Sequence, residues 1–251
     1  MNFVCRKGVS SVFVCRFSLT LDTETLQEIS WSIAEKITGL RAALPQHVEL
    51  IAVSKTYPPS AVLEAYRAGQ RAFGENRPQE LVEKYHALPK DIRWHQIGGL
   101  QSNKVKYIAP FVAMIHSVES AKLLDVIQKE AVKNDRTIDV LLEIRIAREA
   151  SKHGWSEKDL IDYLQTGAYR NLNSVRFRGL MGVATHTEDQ ETIRAEFTRL
   201  HELFVRLGNE YFDRDFDTLS MGMTSDYPIA VSCGSTMVRI GSYIFGARNY
   251  L

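Results

Sequence analysis

The sequence predicts an α/β protein: a single (β/α)8 barrel of the TIM type with one extra helix ahead of the first strand. Three observations point there. Eight short apolar runs recur between residues 49 and 241, each followed by a stretch with helical spacing. The runs are near-continuously apolar rather than alternating, as expected of strands buried on both faces and therefore of parallel strands covered by helices. The length, 251 residues, matches the roughly 250 residues that eight such units need to close. An open doubly wound sheet is the rival architecture, but no GxGxxG follows the first run, so its dinucleotide-binding form has no support.

Taken in order, Leu26, Ile29, Ile33, Ile37 and Leu40 recur at three- and four-residue steps, which predicts an amphipathic helix over about 22–46. The run 49–55 (ELIAVSK) is the first strand, and the prolines at 58 and 59 stop it and open a helix through Ala68. The second strand is 71–76 (RAFGEN), with a helix from Pro78. The third is 93–98 (RWHQIG), with a helix from Leu100 to Tyr107, and the fourth is 112–118, with a helix from Glu119 to Asn134. The fifth is 139–145, followed by a helix over 156–165, and the sixth is 175–184, followed by a helix over 189–207. The last two are 217–223, with a short helix over 227–233, and 236–241 before the tail. No proline-rich linker, low-complexity run or charge block divides residues 22–251, which read as one domain behind an extension over 1–21.

Lys plus Arg is 31 and Asp plus Glu is 30, a net charge of +1, so no global basic field favours nucleic acid or anionic lipid. No apolar run approaches the roughly 20 residues of a membrane helix. Cys5, Cys15 and Cys233 are an odd set without CxxC spacing, which argues against a disulfide framework and a zinc site and fits a reducing, cytoplasmic compartment. The first acidic residue is Asp22, which invites a targeting reading of the leader. Its apolar stretches are short and broken by Arg6, Lys7 and Arg16, however, so a disordered extension or an early start codon fits better than a secretory signal. The seven histidines show neither HxH nor HExxH spacing, so no metal site is expected, and GxSxG and P-loop motifs are absent.

Barrels place their chemistry where strands end. The rim positions here are Lys55, Glu75 and Asn76, His95 and Gln96, His116 and Ser117, Glu143 and Arg145, Met181 and His186, Ser220 and Thr224, and Arg239, Gly241 and Ser242. Lys55 ends an apolar strand. Poor hydration there lowers an amine's pKa and leaves the neutral form that condenses with aldehydes; the other reading is that it snorkels to water. The segment 233–242 (CGSTMVRIGS) offers glycines and hydroxyls around a strand, either as a phosphate cup beside Ser220 and Thr224 or as a tightly packed turn. Arg239, inside the last strand, needs an anion or acceptors: a core ion pair with a strand carboxylate such as Glu143, or the ring nitrogen of a ligand.

Six ordered motifs then carry a resemblance. AVSKTYP around Lys55, FGENRPQEL (73–81), WHQIGGLQSNK (94–104), RGLMGV (178–183), LSMGMTSD (219–226) and GSTMVRIGSYIFGARNY (234–250) resemble the pyridoxal phosphate homeostasis proteins from about residue 24 onward. That family is similar in fold to the N-terminal barrel of alanine racemase. The resemblance implies pyridoxal 5'-phosphate (PLP) as an aldimine on Lys55, with Asn76 near the ring and Arg239 facing the pyridine nitrogen. It also implies phosphate held by Ser220, Thr224 and the backbone of Gly241 and Ser242. An arginine there disfavours a protonated ring nitrogen and weakens the cofactor as an electron sink. Gln96 stands where an aromatic residue is usual and Gly99 replaces a bulkier one; neither departure touches the phosphate positions.

Two functions follow from the resemblance. The first is a non-catalytic carrier or buffer of PLP in intracellular vitamin B6 homeostasis, with PLP-dependent apoenzymes as recipients. The second is an amino-acid racemase on the same barrel. A two-base racemase resembles this barrel followed by a β domain that supplies a tyrosine across a dimer interface, whereas the last motif here ends at Tyr250 and Leu251. A monomeric carrier is therefore the expectation, with Tyr243 and His186 as the residues on which a side activity would rest.

Overall fold

The computed structural model describes residues 31–147 and 153–246. The extension over 1–21, Leu26 and Ile29 of the leading helix, Cys5 and Cys15, and Tyr250 lie outside the described residues. Helix α1 (Ile33–Ala43) opens at Ser32, whose hydroxyl accepts the Glu35 N–H while the Glu35 carboxylate accepts the Ser32 N–H at 2.8 Å. This reciprocal cap satisfies two amides that a helix start leaves orphaned. Ser32 is itself extended. A helix continuous through residue 32 is therefore not what forms: the cap overrides apolar spacing that runs straight across it. Ile37 and Leu40 are buried, as the spacing requires.

The strands are β1 (Glu49–Val53), β2 (Ala72–Glu75), β3 (Arg93–Gln96), β4 (Met114–Val118), β5 (Ile138–Ile144), β6 (Val175–Gly182), β7 (Thr218–Ser220) and β8 (Met237–Ile240). Each pairs in parallel with the next, and β8 returns to β1 in the register Glu49↔Met237 to Ala52↔Ile240, closing the barrel. The expected fold is the observed one.

Between and after the strands run α2 (Pro59–Arg67), α3 (Pro78–Ala87), α4 (Val105–Ile108), α5 (Ala121–Lys133), α6 (Glu157–Gln165), α7 (Gln190–Glu210), α8 (Tyr227–Ser232) and α9 (Ser242–Phe245). Proline opens α2 and α3, where its missing N–H costs nothing. Side chains of Ser120, Ser156 and Asp189 cap α5, α6 and α7. The helix expected over 100–107 is instead a 3-10 turn (Ser102–Lys104) joined to the single turn of α4. Ser102 and Asn103 are poor helix formers, which favours a shorter element there. β7 stops at Ser220 rather than reaching residue 223, because Gly222 takes φ 95° and turns the chain out of the sheet.

Period-two alternation turns Ile51, Ala72, Met114, Leu141, Met181 and Met237 into the lumen, where they form their own apolar cluster. The opposite strand faces pack against the helices in a larger core that includes the fully buried Phe73, Trp94 and Phe197. Burying each of these aromatic side chains stabilises the fold by about 2 to 3 kcal/mol before entropy. Two residues beyond Met114, Leu141 and Met237, the same inward rows carry His116, Glu143 and Arg239. The lumen thus changes from apolar to polar toward the C-terminal ends of the strands. No helix among the described residues is long and apolar enough to cross a membrane.

Candidate functional site

That polar end opens into a cavity of about 470 Å³. Val53, Ile97 and Val183 give it apolar surface, Lys55 and Asn76 come from the β1 and β2 ends, and Thr224, Ser225, Gly241 and Ser242 come from the loops after β7 and β8. Arg239 reaches it from within β8, and His186 and Met223 complete the lining. Six of the seven residues picked from sequence therefore converge on one concavity. The seventh, Ser220, is fully buried just below. A similar volume, about 460 Å³, lies against Arg41, Arg71 and Arg93. Those guanidiniums are bound to Gln70, Asp91 and Glu49 respectively, so that cleft offers no such convergence of nucleophile, hydroxyls and cation.

Lys55 lies two residues beyond β1 in a turn closed by the Tyr57 N–H to Ser54 O bond at 3.1 Å, and it is half-buried. Asn76 follows β2, and its carbonyl accepts the Gln96 side-chain N–H at 2.9 Å. Gln96, the departure from the aromatic usual at that position, also donates to Gly98 O at 2.9 Å, so it braces the loop that carries Asn76. On the other side, Ser242 Oγ donates to Thr224 Oγ1 at 3.2 Å. The two hydroxyls form one patch. Gly241 lets β8 pass close under β1: a Cβ there would lie 2.9 Å from Val53 O, closer than packing allows.

Arg239 is 5% exposed. It donates from Nη1 to Ser220 Oγ at 2.6 Å and from Nη2 to Gly182 O at 3.0 Å. The core ion pair with Glu143 is not made; among the described residues no ion pair joins the two, and Glu143 acts on Arg239 only through space. Burial lowers Arg239 to about 10, opposed by Asp226 and Glu143, so it stays cationic at neutral pH. Burial raises Glu143 to about 7, with Glu119 pushing the same way and Arg239 opposing.

Two residues that sequence reasoning placed on the rim without a role belong to this wiring. Ser220 Oγ lies 3.3 Å from His116 Nδ1, and His116 Nε2 lies 2.9 Å from His95 Nδ1. Arginine only donates, so Ser220 accepts from Arg239 and its own proton finds an acceptor at His116 Nδ1. His116 then donates from Nε2 to His95 Nδ1. The remaining His95 proton sits on Nε2, which is buried with no partner among the described residues. Both rings are neutral: burial lowers His95 to about 3 and drives His116 well below its ordinary range, with His95 and Arg239 adding to the effect.

A pH dependence follows. Below about pH 6.5 the unfolded chain protonates these rings, whereas folded His95 stays neutral down to about pH 3. The unfolded state then binds more protons, so stability falls as pH falls. At pH 5.5, His95 alone should cost about 1.2 kcal/mol relative to pH 7. Denaturant unfolding of the cofactor-free protein at both pH values should show this loss, and a His95→Asn variant should lose that much less. Equal losses would mean that His95 is charged in the fold.

The family described as "Alanine racemase, N-terminal domain" matches residues 31–249. A pyridoxal phosphate homeostasis protein of Pasteurella multocida is 42% identical over 206 residues, covering 81% of this chain and 88% of that one. One from Pseudomonas aeruginosa is 40% identical over 232 residues, covering 90% and 98%. Among solved structures, PipY of Synechococcus elongatus with PLP bound superposes with a TM-score of 0.78 at 37% identity, over 86% of this chain and 100% of that one. Alanine racemase of Streptomyces lavendulae shares the fold at a TM-score of 0.72 and 17% identity, over 86% of this chain and 57% of that one. On the strength of its barrel and of these relatives, the chain belongs to the pyridoxal phosphate homeostasis protein family.

Proposed function

We infer that the protein binds PLP in the cavity at the C-terminal end of the barrel and serves as a reversible carrier or buffer of it, without turning over a substrate. The observation that carries this reading is the convergence of Lys55, a hydroxyl patch and a buried cation on one 470 Å³ space. Such a volume suits a small cofactor. When bound, PLP supplies an aldehyde that an amine holds covalently and reversibly, one water leaving on attachment and returning on release.

The chain's own residues fit that group. Lys55 brings the amine from the β1 side. Thr224, Ser242 and the backbone amides opening α9 present hydrogen-bond donors suited to phosphate oxygens. Ser220 takes a supporting part in this reading, since its hydroxyl holds Arg239. Arg239, kept cationic and braced from below, would face the ring nitrogen in this reading; like charge would keep that nitrogen unprotonated and weaken the ring's capacity to accept electrons. The names of the relatives and this weakened electron sink support storage over turnover. Among the described lining residues the titratable groups are Lys55, His186 and Arg239, and His186 is exposed.

The test is a visible absorption spectrum of the purified protein, followed by borohydride reduction, peptide mapping and an amino-acid racemisation assay. A yellow protein with the cofactor fixed on the Lys55 peptide and no racemisation is the expected result. A protein that stays colourless with added PLP would overturn the reading of the cavity. Racemisation at enzymatic rates would overturn the carrier reading alone.

A further inference from the structure

The FGENRPQEL segment contributes more than Asn76. Glu75 at the end of β2 and Glu80 in the first turn of α3 meet Lys84, whose side chain is 3% exposed. Lys84 Nζ donates to Ser54 O at 2.7 Å, Glu75 Oε1 at 2.7 Å and Glu80 Oε1 at 2.8 Å, so all three of its N–H groups are committed. Glu75 Oε1 also accepts the Ser54 hydroxyl at 2.6 Å, and Glu80 Oε1 accepts the Thr56 backbone N–H at 2.6 Å.

Ser54 O belongs to the peptide unit before Lys55, and Thr56 N to the one after it. These two planes bracket the Lys55 Cα and together define its φ and ψ. Thr56 has φ 71°, a left-handed conformation that a β-branched residue adopts only when something holds it there. The Glu80 carboxylate is placed to do that. We propose that Lys84, Glu80 and Glu75 form a buried clamp that fixes the backbone on both sides of Lys55 and so aims its amine into the cavity. They are positioning residues: the second βα unit sets the direction of the nucleophile carried by the first. This rests on Lys55 being the residue that holds PLP.

The experiment uses the full chain freed of cofactor, with PLP added back. It measures the second-order rate constant of attachment by visible absorbance and checks the site by borohydride and peptide mapping. Glu80→Ala, at a partly exposed position, should slow attachment by at least about tenfold, since small misalignments of a reacting group carry such penalties. Its thermal midpoint should stay close to that of the parent. Glu80→Gln keeps an oxygen for Thr56 N–H and Lys84 and should restore the rate to within about threefold of the parent. Lys84→Met alone would strand Glu75 in the core, so the companion variant is Glu75→Gln/Lys84→Met, expected to be as slow as Glu80→Ala.

Parental rates in Glu80→Ala, or equal slowing in Glu80→Ala and Glu80→Gln, would overturn the clamp while leaving Lys55 as the attachment site. A folded double variant with a parental rate would do the same. A parent protein that carries no cofactor on Lys55 would instead overturn the reading of the cavity, and the clamp with it.

Discussion

Lys55→Ala is expected to abolish covalent retention of PLP completely while leaving the barrel folded. The two effects separate because of where Lys55 sits. It lies in a turn past β1, half-buried and outside both apolar clusters. Hydrogen bonds made by its neighbours, through Ser54 O, Ser54 Oγ and Thr56 N, help to shape the turn and do not depend on the Lys55 side chain. Truncating a side chain at such a position usually changes stability by about 0.5 kcal/mol or less. The noncovalent contacts proposed for Thr224, Ser242 and Arg239 do not involve Lys55, so the variant should still bind PLP, but in a form that dialysis removes and borohydride does not fix. Lys84 offers no substitute amine, because its N–H groups are already donated to three buried or half-buried acceptors. Thermal unfolding, dialysis and reduction on one preparation decide the matter. Cofactor fixed on another lysine, or an unfolded variant, would contradict the assignment.

The barrel was readable because its signal is local. Each βα unit repeats an apolar run, a breaker and a helical stretch, and the prolines before α2 and α3 mark their starts directly. The start of α1 is not legible from apolar spacing, which continues through Ser32, a residue whose side chain opens the helix by accepting the Glu35 N–H. Lys55, Asn76, Thr224, Arg239, Gly241 and Ser242 could be gathered from sequence since strand ends in a closed barrel all face one opening.

What could not be gathered is the wiring beneath them. His95 and His116 are 21 residues apart, His116 and Ser220 are 104 apart, and Ser220 and Arg239 are 19 apart. No spacing rule joins such positions; only barrel closure brings them together. Lys84 hid differently. Four residues after Glu80, it reads as half of an exposed helical ion pair, yet the Lys84 side chain turns inward to Ser54 just past β1 and to Glu75 at the end of β2. Its signal in the sequence was Glu75, an acidic residue at the end of an otherwise apolar strand.

Arg239→Ala should weaken PLP retention by about tenfold or more, since a hydrogen bond to a charged group is commonly worth about 1.5 to 3 kcal/mol. It should also raise the pKa of the bound ring nitrogen. Removing a cation beside a basic nitrogen favours its protonated form, so the visible band should titrate at higher pH than in the parent. A second consequence separates this from simple loss of packing. Without the guanidinium, Gly182 O loses its side-chain donor and Ser220 Oγ its charged partner, while Glu143 and Asp226 lose the cation that opposes their upward shifts. Arg239→Gln retains an N–H donor for one of these acceptors without the charge. It should recover part of the lost thermal stability yet leave the ring-nitrogen titration where Arg239→Ala puts it. If charge and not shape is what Arg239 contributes, the two variants differ in melting and agree in spectrum. A titration that stays at the parental pH in both would show that the guanidinium does not face the ring.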